Sequence, residues 1–212
     1  MAQMPIRLLD LLRTLNAKER FFLLGHALGN PQFTLTEQFR FKLGELLSVR
    51  IPEDAFCGMD YHLDWLYAAL QLSANGDTVG IYPNDDGIIK AHQEDIDLLV
   101  GFKDGDGCRI ILIEAKAATV WKSGQMKSKA NRMADIFGSD GYKWEGVTAH
   151  FVLTSPNQPQ RLTVADWPQW MAPNNEYLWM QLDFSADLKR VSRCTSDGTP
   201  NAQGRYWTVV DR

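Results

Sequence analysis

Residues 95–116 read DIDLLVGFKDGDGCRIILIEAK, and the fold turns on how that stretch is divided. Two apolar runs of strand length, 96–102 and 109–115, flank Asp104-Gly105-Asp106-Gly107, a turn composition that joins antiparallel strands into a hairpin. A two-residue loop at Gly105-Asp106 sets residue 104 opposite 107 and, followed along both strands, Asp97 opposite Glu114. Side chains alternate with period two, so Asp97 stays on the face of Glu114 and Lys116 even if that loop slides by one position. The unbroken hydrophobicity of 110–113 marks a strand covered on both faces, as in an α/β sandwich.

Directly opposed side chains bring their Cβ atoms to about 4.5–5.5 Å, where two carboxylates repel unless a positive charge lies between them. Mg²⁺, or Mn²⁺ in its place, suits that position, because it takes hard oxygen ligands, commonly one or two carboxylates, and keeps water for the rest. Lys116, two residues past Glu114 on the same face, would then hold a water or offset charge on a phosphate. Asp95 shares the face and is the alternative ligand to Asp97, whereas Glu94 reads as solvated.

Upstream of the hairpin the period is helical. Ile6, Leu8, Leu9, Leu11, Leu12 and Leu15 recur at near-helical spacing, Asn16 offers an N-cap with Glu19 three residues later, and Thr34-Leu35-Thr36-Glu37 is a capping box. That third helix runs through Phe39, Leu43, Leu46 and Leu47 until Pro52 forbids continuation. A fourth, about 59–73, turns Leu63, Leu66, Tyr67 and Leu70 inward and sets Asp60 and Asp64 four apart on one flank. Val79–Tyr82 and Ile88–Ile89, around a turn at 84–87, read as the first strands.

Downstream, a helix is expected from a Ser123 cap to Gly138, with Met126, Ala130, Met133, Ala134 and Phe137 as its apolar stripe. Its remaining faces are basic, and Lys122, Lys127, Lys129 and Arg132 either grip phosphates or form a solvated face. Residues 147–154 form another buried strand, 155–175 a Pro-, Gln- and Asn-rich connection, and three final strands fall near 177–182, 188–194 and 206–210.

An acid at the start of one strand, followed by Glu-x-Lys at the end of the next, resembles the PD-(D/E)XK nuclease superfamily, carried here by Asp97 and by Glu114-Ala115-Lys116. The resemblance spans about 59–154. It implies an α/β fold of the restriction-endonuclease-like type: a central mixed β-sheet flanked by helices, with an N-terminal helical segment (1–57) packed on a core that spans 58–212. It further implies a metal-dependent nuclease in which Asp97, Glu114 and the Ala115 carbonyl are metal ligands and Lys116 is the catalytic lysine. The helix before the first strand tends to supply another acid in such proteins, which points to Asp64. A Gln on the helix after the lysine points to Gln125 as a further catalytic residue. DNA is the expected substrate in preference to RNA, with restriction, repair or defence as the setting. The alternative is a noncatalytic nucleic-acid- or protein-binding module of the same fold.

Composition narrows the field without choosing the chemistry. A net charge of -4 rules out a surface coated in cations, so nucleic-acid contact has to come from a local patch. No apolar run reaches the roughly 18–20 residues of a membrane span, which leads to the expectation of a cytoplasmic protein without membrane contact. Three widely spaced cysteines, with no CxxC among them, read as reduced, mostly buried thiols. The four histidines show no paired metal spacing, and no P-loop or G-x-S-x-G elbow occurs. Of the seven Trp, Trp121, Trp144, Trp167 and Trp170 read first as core and second as base-stacking platforms. The leucine-striped N-terminal helices are the place for a homodimer contact or a partner subunit, or simply core.

Overall fold

The computed structural model describes residues 4–15, 18–31, 33–76, 80–91, 94–117, 121–183 and 189–211. Three helices lead: α1 (Met4–Thr14), α2 (Glu19–Leu28) and α3 (Glu37–Leu47). The cap of α3 is Thr36, whose hydroxyl accepts from the Phe39 amide at 3.3 Å. Thr34 sits two residues too early for that role and bonds to Asn30 instead. Asn16 lies outside the described residues, and α2 starts after Lys18 with no side-chain cap.

The sheet begins earlier than the sequence pattern indicates. Residues 56–62 form a strand, β1 (Phe56–His62), and α4 (Leu63–Asn75) begins only after it. The helix expected from about 59 therefore loses its first turn to the sheet. Asp60 has φ of +47°, which no α-helix contains, and His62 becomes the N-cap by accepting from the Asp64 amide. Residues 80–91, where the first strands were expected, contain none: the Asn84 side chain bonds both the amide and the carbonyl of Ile89 and holds the segment as a loop. Val79 lies outside the described residues.

β2 (Asp95–Asp104) and β3 (Gly107–Ala115) form the expected hairpin, and Asp104 pairs with Gly107 across the two-residue loop. Gly105 has φ of +58°, the left-handed conformation that favours glycine in tight hairpin loops. After α5 (Ser123–Phe137) come β4 (Val147–Ser155) and β5 (Leu178–Gln181). The five strands lie in the order β1-β2-β3-β4-β5. β2 runs antiparallel to both β1 and β3, and β4 and β5 add in parallel. A separate two-stranded sheet pairs β6 (Lys189–Cys194) with β7 (Tyr206–Asp211).

The result is an α/β fold: a five-stranded mixed sheet with helices on both faces. Ile110 and Leu112 of β3 join Leu8 and Leu12 of α1, Leu66 and Leu70 of α4 and Met126 and Met133 of α5 in one core. Ile111 and Ile113 point the other way, toward Leu43 of α3, Val100 and Val152. Burying each such Leu or Ile stabilises by about 1.5–3 kcal/mol, which explains why β3 is apolar without a break. β1 begins at Phe56, so the expected boundary between 57 and 58 falls inside a strand of the sheet. Among the described residues no helix is long and apolar enough to cross a membrane.

Candidate functional site

Asp97 and Glu114 arrive together because the hairpin keeps its register. The ladder runs from Asp104 and Gly107 to Leu98 and Ile113, one step short of Asp97 and Glu114. There the regular pairing stops, and the Asp97 carboxylate accepts the Ala115 amide at 2.6 Å. The β1 ladder likewise skips the Asp60–Asp97 step between Met59–Leu98 and Tyr61–Ile96. The alternation shifts with it: Leu98 packs against the α3-side core, and Ile96 lies in the α5-side core together with Leu99. The sheet is interrupted at the two carboxylates the sequence singles out.

Glu114 is 3% exposed and lies on the α5 face with Ile110 and Leu112. Lys129 donates to its Oε2 at 2.5 Å and to the Asp95 carbonyl at 2.8 Å, while Lys116 Nζ stands 3.9 Å from Oε1. Burial pushes the Glu114 pKa above the ordinary carboxylate range, and the Asp97 charge pushes it further; Lys129 and Lys116 pull against both. The folded protein thus holds this proton more tightly than the unfolded chain does. The cost of the buried charge is present at neutral pH and relieved as pH falls through the window between the ordinary and raised values. A metal held there would compete with the same proton. The apparent Mn²⁺ affinity is therefore expected to decline on acidification before an unperturbed carboxylate would titrate, and calorimetric titration across pH 5–7 checks it.

The four basic residues of α5 and the segment before it divide. Lys122 and Lys127 are exposed, and Lys127 pairs with Asp166 at 2.6 Å. Lys129 and Arg132 are buried, at 7% and 3% exposure, and face carboxylates instead of solvent, which corrects their assignment to a phosphate-gripping surface. Gln125 is exposed in the first turn of α5, and Lys129, one turn further along, is the residue of that helix that bonds Glu114. The signal for Lys129 was present in the sequence, since it stands three residues after Met126 and four before Met133 and so shares their inward stripe.

Asp64 is buried but committed elsewhere. It forms an ion pair with Arg132 and accepts the amides of Lys90 and Ala91 at 3.1 and 2.8 Å. This is a brace tying α4 to α5 and to the 80–91 loop, and it engages the carboxylate that the resemblance points to as a further metal ligand. Asp60 pairs with Arg20 at 3.2 Å, and Asp95 pairs with Lys18, leaving its Oδ1 buried without a partner among the described residues. Beside these groups opens a cavity of about 650 Å³ lined by Lys18, Arg20, His62, Asp64 and Asp95.

The donor set suits a hard divalent cation. Asp97 Oδ1 is uncommitted among the described residues, Glu114 Oε1 faces only Lys116 at long range, and the Ala115 carbonyl follows Glu114 directly in the chain. Two carboxylates and a carbonyl are what Mg²⁺ takes when water completes its shell. No group of three His, Cys, Asp or Glu side chains converges among the described residues, so for a cation held there the carbonyl and water would have to supply the remainder. The other reactive groups are quiet. All three cysteines are free and buried, with burial pushing Cys57 and Cys108 up to about 12. Burial and Arg109 hold His150 neutral, at about 4. Trp121, Trp144 and Trp167 are core residues.

Compared with protein-family models, with curated proteins and with solved structures, the chain matches none. Fold and site alone define its class: an α/β protein with a carboxylate–lysine cluster where a β-hairpin meets the following helix.

Proposed function

We propose that this protein is a metal-dependent nuclease with a restriction-endonuclease-like core, cutting DNA in preference to RNA in restriction, repair or defence. The observation that carries the reading is the convergence of Asp97, Glu114 and Lys116 at the open end of one hairpin, with Glu114 buried and bracketed by two lysines. A surface charge pair would not be built this way, because a carboxylate loses several kcal/mol on burial unless its surroundings compensate it.

Asp97, Glu114 and the Ala115 carbonyl would hold Mg²⁺ or Mn²⁺, which supplies Lewis acidity and lowers the pKa of water. Lys116 stands at the exposed side of the pair, placed to orient a water or to offset charge on the scissile phosphate as the phosphorus becomes five-coordinate. Lys129 fixes the Glu114 carboxylate through Oε2 and leaves Oε1 turned toward Lys116. Lys122, exposed beyond Trp121, would meet a neighbouring phosphate.

A nuclease assay on linear, circular and single-stranded DNA and on RNA, with Mg²⁺, tests the proposal. Wild-type protein is expected to cut DNA, and Glu114→Gln to lose that activity. Cutting by Glu114→Gln at the wild-type rate overturns it. One observation favours a second reading, a noncatalytic binding module: the Lys129 ammonium already neutralises Glu114. Metal titration separates the two, since a module of that kind needs no Mg²⁺ or Mn²⁺ site. Phe22, Leu23, Leu28 and Phe41, exposed on α2 and α3, support a partner or a second copy at the N-terminal helices.

A further inference from the structure

β6 and β7 stand outside the five-stranded sheet as a two-stranded antiparallel ribbon. Such a ribbon is marginal by itself in water, and this one presents apolar surface to solvent: Val191 is 70% exposed, Trp207 69% and Val209 50%. The register gathers these on one face, because Val191 pairs with Val209 and Arg193 with Trp207. Arg193 donates through Nε to the Gly204 carbonyl at 3.0 Å, which steadies its guanidinium while its η nitrogens have no partner among the described residues.

Charge identifies what covers this face. Residues 189–211 contain Lys189, Arg190, Arg193 and Arg205 against Asp197 and Asp211, an excess of two positive charges in a chain whose net charge is -4. Both acids are occupied, Asp211 by Lys189 and Asp197 by the turn at Thr195 and Thr199. Arg190 and Arg205 are exposed and unpaired among the described residues. An apolar protein partner would not call for this excess, whereas a polyanion would. The major groove of B-form DNA, about 12 Å wide, admits a two-stranded β-ribbon and offers guanine acceptors to Arg and thymine methyls to apolar side chains. The major groove of A-form RNA is too narrow for side chains to read.

We propose that the β6–β7 ribbon docks in the major groove of duplex DNA, with Val191, Arg193, Trp207 and Val209 toward the bases and the flanking cations toward phosphate. The choice of a nucleic acid rests on the nuclease reading above, and the ribbon adds that the substrate is double-stranded DNA. Fluorescence anisotropy of the full chain in EDTA, with labelled duplex DNA, single-stranded DNA and duplex RNA of one sequence, tests this without cleavage. Wild type is expected to bind duplex DNA most tightly. Arg190→Glu with Arg193→Glu should weaken that binding at least about 10-fold and flatten its salt dependence by about 0.9 in slope for each phosphate no longer neutralised. Trp207→Ala should weaken it at high and low salt alike, and the melting transition of each variant should stay within a few degrees of wild type. Unchanged duplex affinity in both variants, or equal wild-type affinity for single strands or duplex RNA, overturns the proposal. A protein whose ribbon variants lose DNA but which never cuts it leaves this inference standing and removes the nuclease reading. A protein that cuts DNA while its ribbon variants bind unchanged does the reverse.

Discussion

Lys116→Ala is expected to lower DNA cleavage by about 10²–10³-fold, the usual cost of losing one preorganised charge at a developing transition state, while the melting transition stays in place. The side chain is half-buried, and its Nζ lies 3.9 Å from Glu114 Oε1 and 6.0 Å from the Trp121 ring centroid. Its backbone amide, which donates to the Thr154 carbonyl at 2.9 Å, survives the substitution. Truncation therefore removes a charge from the mouth of the site without orphaning a buried partner. Lys116→Arg keeps the charge in a wider, planar group and should recover part of the rate. A well-folded Lys116→Ala protein that digests DNA as fast as wild type would sink the proposed role of Lys116.

The second large effect is on stability. Asp64→Ala is expected to cost about 3–5 kcal/mol in chemical denaturation, because it leaves Arg132 charged, 3% exposed and without its counter-ion. The amides of Lys90 and Ala91 lose their acceptor in the same step. Arg132 Nη1 already lacks a partner among the described residues. Asp64→Ala combined with Arg132→Met should recover much of the loss, since replacing both members of a buried pair with apolar groups is often neutral. A loss under about 1 kcal/mol for Asp64→Ala would mean the brace is not what holds α4 to α5. Asp64→Asn distinguishes brace from ligand: as a brace it leaves Mn²⁺ affinity per folded molecule unchanged, and as a ligand it lowers that affinity.

Legibility followed the range of the interactions. The hairpin was readable as far as Leu98 and Ile113, because an Asp-Gly-Asp-Gly turn fixes its own loop length and the loop fixes the pairs up to the point where Asp97 leaves the ladder. The inward stripe of α5 and the doubly covered β3 were readable from periodicity. β1 was not. Phe56-Cys57-Gly58-Met59 lacks a clean alternation, and the strong helical pattern of Leu63, Leu66 and Leu70 extends backward over it. What makes 56–62 a strand is pairing with β2, an edge completed by a segment more than thirty residues away. The 80–91 loop erred the other way, since its apolar residues suggest strands but Asn84 closes the segment on itself.

By itself the sequence determined that Asp97, Glu114 and Lys116 come to one end of a covered hairpin within an α/β fold, because turn chemistry and a period of two act over a few residues. Only the tertiary structure decided which charge answers which. It set Lys129 on Glu114, and it took Asp64 away to Arg132, 68 residues along the chain. It also buried Trp121, Trp144 and Trp167 and left Trp207 in solvent. Counter-ions are chosen by packing, since burial makes an unpaired charge so costly that whichever partner the helices deliver becomes part of the site.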